Sequence, residues 1–267
     1  MLLALLVSLL AGLATSVGGF LALSRRVLER TWLAVSLAFA AGAMLLVSLM
    51  QVLPLGIDSL SDRYAPMPAN ALGYGAFFVG ILLVLAIDRF LPGELNPNET
   101  EGREAEVSSG EAPQTRHLLR SGLLVALVLS LHNFPEGMAT FFTTYTEPQV
   151  GITLAVAIAI HNVPEGIAVA APVYAATRSR TKALAWATVS GLTEPLGGLF
   201  AALLVSFVVP QTLFGMFYAL VAGMMVFLAV DELLPGAWRY QTDKHQTIYG
   251  MLAGMVVVAL SLVLFAR

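Results

Sequence analysis

Eight stretches of the chain are almost continuously apolar, and shorter polar segments separate them. The hydrocarbon core of a bilayer needs about 20 predominantly apolar residues per helix. Backbone groups in lipid have to find their hydrogen bonds within the segment, which favours the α-helix. The pattern therefore predicts an all-α polytopic membrane protein in which residues 1–267 form a single transmembrane domain. The predicted transmembrane helices are about 1–23, 32–55, 69–87, 118–142, 150–176, 183–209, 212–230 and 248–265.

The composition and the distribution of charge support this class. The chain is 58% hydrophobic and 12% charged, with a mean hydropathy of +0.81, and soluble globular domains do not have such values. Twelve of the 14 Lys and Arg residues lie on one side of the predicted membrane, and only Arg63 and Arg267 lie on the other. By the positive-inside rule, both termini face outward. We expect a multi-pass protein of the cell inner membrane, in contact with membrane lipid and without a nucleic-acid partner. A homodimer is left open.

One long hydrophilic interval, about 93–116, is rich in Glu, Ser, Gly and Pro, which is typical of a disordered cytoplasmic loop. A plain linker and a role in metal capture or regulation are both open for it. Three apolar segments precede this loop. Segments four and five form a hairpin around a short turn at 146–149, and three more segments follow. This 3+2+3 arrangement suggests a pseudo-two-fold (inverted) symmetry, with the axis in the membrane plane.

A six-residue motif occurs once in each segment of that hairpin. It reads His-Asn-Phe-Pro-Glu-Gly at 132–137 and His-Asn-Val-Pro-Glu-Gly at 161–166. Each copy lies a little over ten residues from the turn, which is about half a membrane by helical rise, so both are expected near the midplane. Ionisable residues at that depth are costly and indicate a functional site. Interhelical hydrogen bonding is the alternative explanation, and the repetition of the motif disfavours it.

The residue types of the two copies suit divalent metal ions. His and Glu four residues apart share one helix face. Two His and two Glu can form a tetrahedral site for a zinc-like ion, whereas two Asn and two Glu can form an oxygen-rich site for ions such as Mn²⁺ or Fe²⁺. A third carboxylate, Glu194 in segment six, is added to the oxygen-rich site. The candidate metal ligands are His132, Asn133, Glu136, His161, Asn162, Glu165 and Glu194, and cysteine is absent.

At these residues the chain resembles the ZIP family of divalent metal transporters, and most closely its ZupT-like bacterial branch. The likeness extends from end to end. The resemblance implies eight helices with both termini outside and a two-metal transport site in helices four, five and six. It also implies import of zinc toward the cytoplasm, together with iron, manganese and cobalt, and with cadmium as a further candidate. The motifs that carry it are the two hexapeptides, Gly191-Leu192-Thr193-Glu194, Gly42-Ala43-Met44-Leu45 and Val230-Asp231-Glu232-Leu233-Leu234-Pro235.

The same resemblance implies two ligand sets that share their carboxylates. One set is His132, Glu136, His161 and Glu165, and the other is Asn133, Glu136, Asn162, Glu165 and Glu194. Two features depart from the family pattern. The loop between helices three and four is rich in histidine in many relatives, but here it is acidic with His117 alone, which weakens the expectation of metal sensing by histidine. Gln51 stands where ZupT-like proteins often have glutamate, which weakens the expectation of an additional ligand on the outer side.

An intramembrane metalloenzyme is the second hypothesis. A zinc protease of that kind requires His-Glu-x-x-His, and a di-iron oxidase requires Glu-x-x-His pairs on two helices. Neither motif occurs in the chain. We therefore predict a transporter rather than an enzyme, with metal ions as cargo and without a cofactor. Passive transport and proton-coupled transport are both open.

Overall fold

The computed structural model describes residues 1–24, 27, 29–90, 129, 130, 132–206 and 211–265, and these form eight helices without a strand. The all-α prediction is confirmed for this part of the chain. The loop at 93–116 and residues 118–128 and 207–209 of the predicted helices lie outside it. The helices are α1 (Leu2–Leu21), α2 (Arg30–Ser61), α3 (Pro66–Phe90), α4 (129–146, with residue 131 not described), α5 (Pro148–Thr177), α6 (Arg180–Ser206), α7 (from Gln211 to Tyr240) and α8 (Gln246–Phe265).

Seven of these helices are long and apolar enough to cross a membrane by length and composition, and of α4 only the part from residue 129 is described. Most of their ends lie within a few residues of the predicted ones. The exceptions are α2 and α7, which were expected to end near residues 55 and 230 but continue to Ser61 and Tyr240.

A π-helical turn in each helix explains why α2 and α7 continue past their predicted ends. The turns are Ser48–Val52 and Ala229–Leu233, and each is followed by a leucine and then by Pro54 or Pro235. Proline has no N–H and its ring clashes with the carbonyl four residues back in a regular helix. In both helices the backbone N–H of the leucine before the proline instead donates to the carbonyl five residues back. The wider turn accommodates the proline ring.

The helices pack as two groups. The first group contains α1, α4, α5 and α6, and the second contains α2, α3, α7 and α8. Within each group, glycines bring backbones into direct contact. A Cβ at Gly12 of α1 would meet the carbonyl of Gly191 on α6, and the reverse also holds. Gly56 of α2 and Gly215 of α7 face each other in the same way in the second group. Small residues allow this close approach between membrane helices.

The two groups meet mainly through apolar side chains. Helix α2 packs along α5, and Phe142 of α4 contacts Phe214 and Phe217 of α7, with ring centroids 4.3 and 6.0 Å apart. Next to these rings, the hydroxyl of Tyr218 donates to the hydroxyl of Thr143 at 3.1 Å, because the hydrogen of Thr143 is donated to the carbonyl of Ala139. The hexapeptides therefore lie inside the first group, with the second group covering one side.

Candidate metal centre

The two hexapeptides lie on neighbouring helices in the protein interior. Helix α4 ends at residue 146 and α5 begins at Pro148, so only Glu147 lies between them. Gly151 lies against Thr144, which shows that the helices are in contact at this end. The His, Asn and Glu of each copy and Glu194 of α6 are at most 1% exposed. All seven candidate ligands are therefore removed from bulk solvent.

Two imidazoles and two carboxylates meet at one place. Oε1 of Glu136 lies 3.2 Å from Nε2 of His132 and 3.1 Å from Nε2 of His161. Oε1 of Glu165 lies 3.8 Å from Nε2 of His132. A tetrahedral ion with bonds of about 2.1 Å separates its ligand atoms by roughly 3.4 Å. These three distances are close to the ligand spacing of a single zinc-like ion, and ligand atoms of His132, His161 and Glu165 all lie within 4.8 Å of one another.

The orientation of His161 sets two acceptors against each other when its imidazole is neutral and Glu136 is ionised. Its Nδ1 lies 3.1 Å from the carbonyl of Ala157. A carbonyl only accepts, so Nδ1 carries the hydrogen, and Nε2 of the neutral imidazole is an acceptor. This nitrogen faces the carboxylate of Glu136, which is also an acceptor. A cation bound between the two groups would remove the conflict.

The two asparagines are held by backbone carbonyls of other helices. Asn133 donates from Nδ2 to the carbonyl of Ser190 on α6 at 3.2 Å. Asn162 donates to the carbonyl of Ala11 on α1 at 3.0 Å and to Oε2 of Glu194 at 2.7 Å. The structure thus brings Asn162 and Glu194 together. Each Nδ2 is thus engaged, whereas each Oδ1 has no hydrogen-bond partner and is available to coordinate a cation.

Unpaired acceptor atoms are concentrated among these residues. In the described residues, six of the seven candidates have a buried side-chain oxygen or nitrogen without a hydrogen-bond partner. Each such atom costs about 1–3 kcal/mol if it stays unpaired. The carboxylate and amide oxygens among them can accept but cannot donate, so the centre suits a cation. The atoms are His132 Nε2, Asn133 Oδ1, Glu136 Oε2, Asn162 Oδ1, both carboxylate oxygens of Glu165, and Glu194 Oε1.

Three further residues around the centre were not expected from the sequence. The carbonyls of Ala11 and Ser190 orient the asparagines, and the Ser8 hydroxyl donates to the carbonyl of Glu194 at 3.2 Å. No sequence signal identifies a carbonyl acceptor, because it depends on how helices pack. Ser8 is one of three hydroxyl residues in a mostly apolar segment, together with Thr15 and Ser16, and this was an available indication.

A separate cluster of carboxylates lies near the end of α3 and the π-helical turn of α7. Oxygens of Asp88, Asp231 and Glu232 lie within 4.8 Å of one another, and the three residues are partly exposed. Partly exposed acidic groups commonly occur without an ion, so the cluster by itself indicates no ligand. It is distinct from the hexapeptide centre.

Comparison with known proteins identifies relatives over the whole chain. Residues 92–262 match the family described as ZIP Zinc transporter. The zinc transporter ZupT of Corynebacterium efficiens is 46% identical over 260 residues, covering 97% of this chain and 95% of the relative. That of Corynebacterium glutamicum is 46% identical over 267 residues, covering 99% and 100%. That of Oceanobacillus iheyensis is 43% identical over 266 residues, covering 100% and 99%.

Proposed function

The chain belongs to the ZIP family of zinc transporters, and we propose that it imports divalent metal cations toward the cytoplasm through a two-metal site on α4, α5 and α6. It is a multi-pass membrane transporter rather than an enzyme. Zinc is the principal proposed cargo, since the relatives are zinc transporters. Iron, manganese and cobalt are further proposed cargoes, as is cadmium, because the centre offers both nitrogen and oxygen ligands.

The observation that carries this proposal is the concentration of unpaired acceptors inside the first helix group. Seven buried oxygen and nitrogen atoms of the candidate residues have no hydrogen-bond partner within the described ranges. A purely structural polar cluster would pair these atoms with donors, since buried polar groups are normally hydrogen-bonded. A divalent cation satisfies several acceptors at once. The arrangement therefore favours cation transport over interhelical hydrogen bonding.

Two ions would share the carboxylates of Glu136 and Glu165. His132 and His161 complete a nitrogen-containing set for a zinc-like ion, and the 3.1–3.8 Å spacing around Glu136 and His132 supports it. The second set is richer in oxygen and suits manganese or iron. The 2.7 Å contact between Asn162 and Glu194 supports this second set. The members of this oxygen-rich set are Asn133, Glu136, Asn162, Glu165 and Glu194.

The proposed topology has both termini outside the cell inner membrane and a pseudo-two-fold axis through the hairpin. The positive-inside distribution of Lys and Arg supports the orientation. The π-helical turns of α2 and α7 support the symmetry, since both precede a Leu-Pro pair. Under this topology, the single transmembrane domain consists of helices α1–α3, the hairpin α4–α5 and helices α6–α8.

Zinc flux into proteoliposomes loaded with a metal-sensitive dye tests the proposal. Glu136→Ala and Glu165→Ala should each lower the initial uptake rate by about 100-fold or more, because even outer-shell partners of a metal cost 10–100-fold. Both variants should still insert into the membrane. Glu147→Ala is the matched control, since Glu147 is an exposed carboxylate at the α4–α5 turn. Uptake by Glu136→Ala and Glu165→Ala equal to that of Glu147→Ala would refute the site.

A further inference from the structure

Helices α1 and α6 contain the same short pattern of residues. The segments 11–19 and 190–198, which are 179 positions apart, both read x-Gly-Leu-x-x-x-x-Gly-Gly. The shared glycines are not on exposed faces: Gly12 and Gly191 lie against each other's carbonyls. The likeness is therefore more than a common preference of membrane helices for glycine.

The contacts of the two segments correspond pair by pair. Helix α1 contacts the α5 hexapeptide as α6 contacts the α4 hexapeptide, with every α1 residue 179 positions before its α6 counterpart. Such a correspondence is expected when a two-fold axis relates α1 to α6 and α4 to α5. In the following matched pairs of contacts, the first belongs to α1 or α5 and the second to α6 or α4: Gly18–Val163 with Gly197–Phe134, Ala11–Asn162 with Ser190–Asn133, and Thr15–Gly166 with Glu194–Gly137. Between α1 and α6 themselves, Gly19–Ala187 matches Gly198–Ser8.

This correspondence pairs Thr15 with Glu194. The carbonyl of Thr15 lies against Gly166 where the carbonyl of Glu194 lies against Gly137. The side chains correspond as well: Cβ of Glu194 lies near Gly12, and Cβ of Thr15 lies near Gly191. Since Glu194 contacts Asn162, the two-fold relation sets Thr15 beside Asn133, on the opposite side of the centre.

The hydroxyl of Thr15 is itself unpaired. Thr15 is fully buried, and its Oγ1 has no hydrogen-bond partner. Threonines in apolar helices can donate to the carbonyl one turn back, and Thr143, Thr144 and Thr146 of α4 do so at 2.7–2.9 Å. Two other buried polar groups without partners in the described part of the chain, Ser16 and Thr140, correspond to Pro195 and Val169 under this relation and not to a carboxylate.

We propose that Thr15 is a further contact for the cargo: its hydroxyl oxygen faces a divalent cation beside Asn133, as the counterpart of Glu194 beside Asn162. This inference rests on the proposed transport function. A hydroxyl is a neutral oxygen donor, so it adds to the oxygen-rich set and favours manganese or iron over zinc. The site then has a carboxylate on one side and a hydroxyl on the other. The side with the hydroxyl therefore binds the cation more weakly than the side with the carboxylate, and weaker binding suits release.

Uptake kinetics of zinc and manganese in proteoliposomes test the proposal. Thr15→Val removes the hydroxyl at nearly constant shape, and Thr15→Ser keeps it. Thr15→Val should raise the KM for manganese roughly fivefold, which is the effect of one hydrogen-bonding group, with a smaller change for zinc. Thr15→Ser should stay within about twofold of the original protein for both metals. Thr144→Val is the matched control, because its buried hydroxyl already donates to the carbonyl of Thr140.

The melting temperature of the purified, metal-free protein separates a cargo contact from a structural role. Thr15→Val removes an unpaired buried hydroxyl and should raise the melting temperature by about 1–3 °C, whereas Thr144→Val loses a hydrogen bond and should lower it. An unchanged manganese KM in Thr15→Val would overturn the inference. Equal changes for both metals with a lower melting temperature would do so too, as would zinc uptake without manganese uptake by the original protein. Absence of any uptake by that protein would instead refute the proposed function.

Discussion

The hexapeptide on α4 packs against α6, whereas the nearly identical hexapeptide on α5 packs against α1, and their backbone contacts match while one side chain facing each copy differs. Gly137 lies against the carbonyl of Glu194, and Gly166 lies against the carbonyl of Thr15. The backbone framework is thus repeated. The side chain at the matching position is a carboxylate in one case and a hydroxyl in the other. The framework and the chemistry of the centre therefore have different degrees of symmetry.

The carboxylates of the two copies also differ in their contacts. Oε1 of Glu136 lies between the imidazoles of His132 and His161 at 3.2 and 3.1 Å. Neither oxygen of Glu165 has a hydrogen-bond partner, and its Oε1 is 3.8 Å from the nearer imidazole. One carboxylate therefore lies within hydrogen-bonding distance of two imidazoles, and the other has no hydrogen-bond partner among the described residues. Repeated sequence does not produce equivalent ligands here.

The largest expected effects test the symmetric framework. Gly137→Ala and Gly166→Ala each place a methyl group onto a backbone carbonyl of the neighbouring helix, and overpacking of this kind costs about 3 kcal/mol or more. The two variants should lose similar amounts of stability, measured as the melting temperature or the yield of folded protein. Gly75→Ala is the control, since a Cβ there meets nothing within 4 Å. If Gly137→Ala or Gly166→Ala had the stability of the original protein, the two backbone contacts would not be equivalent.

The next effects test the two imidazoles as the nitrogen ligands of the centre. His161→Ala and His132→Ala should lower zinc affinity by about 100-fold or more, while manganese affinity changes less, because manganese prefers oxygen ligands. The loss for His161 includes a ligand whose Nδ1 is oriented by the carbonyl of Ala157. Equilibrium dialysis of the purified protein with each metal measures both values. A larger loss for manganese than for zinc would contradict the assignment of the nitrogen ligands.

The smallest effects test the asymmetry of the asparagines. Asn162→Ala and Asn133→Ala each remove an amide oxygen and the donor to one backbone carbonyl, but only Asn162→Ala also removes the donor that holds Glu194. Manganese affinity should fall by about 10–100-fold in Asn162→Ala and by a smaller factor in Asn133→Ala, since loss of a group that orients a ligand adds to loss of the ligand. The same dialysis measures the difference. The reverse order would show that Glu194 does not depend on Asn162.

The helix content and the ligand cluster could be predicted because their signals are local. Apolar stretches of membrane length predict helices, and a repeated hexapeptide on both sides of a short turn predicts that its residues meet. His132 and Glu136 are one turn apart, so their contact follows from helix geometry. The prediction that both copies lie near the midplane also rests on residue counts.

The remainder depends on packing between distant segments. The extensions of α2 and α7 past Pro54 and Pro235 require π-helical turns, and proline in sequence suggests an end instead. The carbonyl partner of Asn162 is Ala11, 151 residues away, and no local pattern selects it. The role of α1 was missed because its hydroxyls look ordinary in an apolar helix. The Gly-Leu and Gly-Gly pairs shared with α6 were the signal that could have revealed it.

The central claim is that both hexapeptides form one centre with shared carboxylates, and the number of zinc ions bound by the purified protein tests it most directly. Elemental analysis after equilibrium dialysis at saturating zinc should find two ions per chain in the original protein. Glu136→Ala and Glu165→Ala should each lose both, because each carboxylate serves both ions. If Glu136→Ala kept one ion at undiminished affinity and Glu165→Ala kept the other, the hexapeptides would be separate sites, and the shared centre would be contradicted.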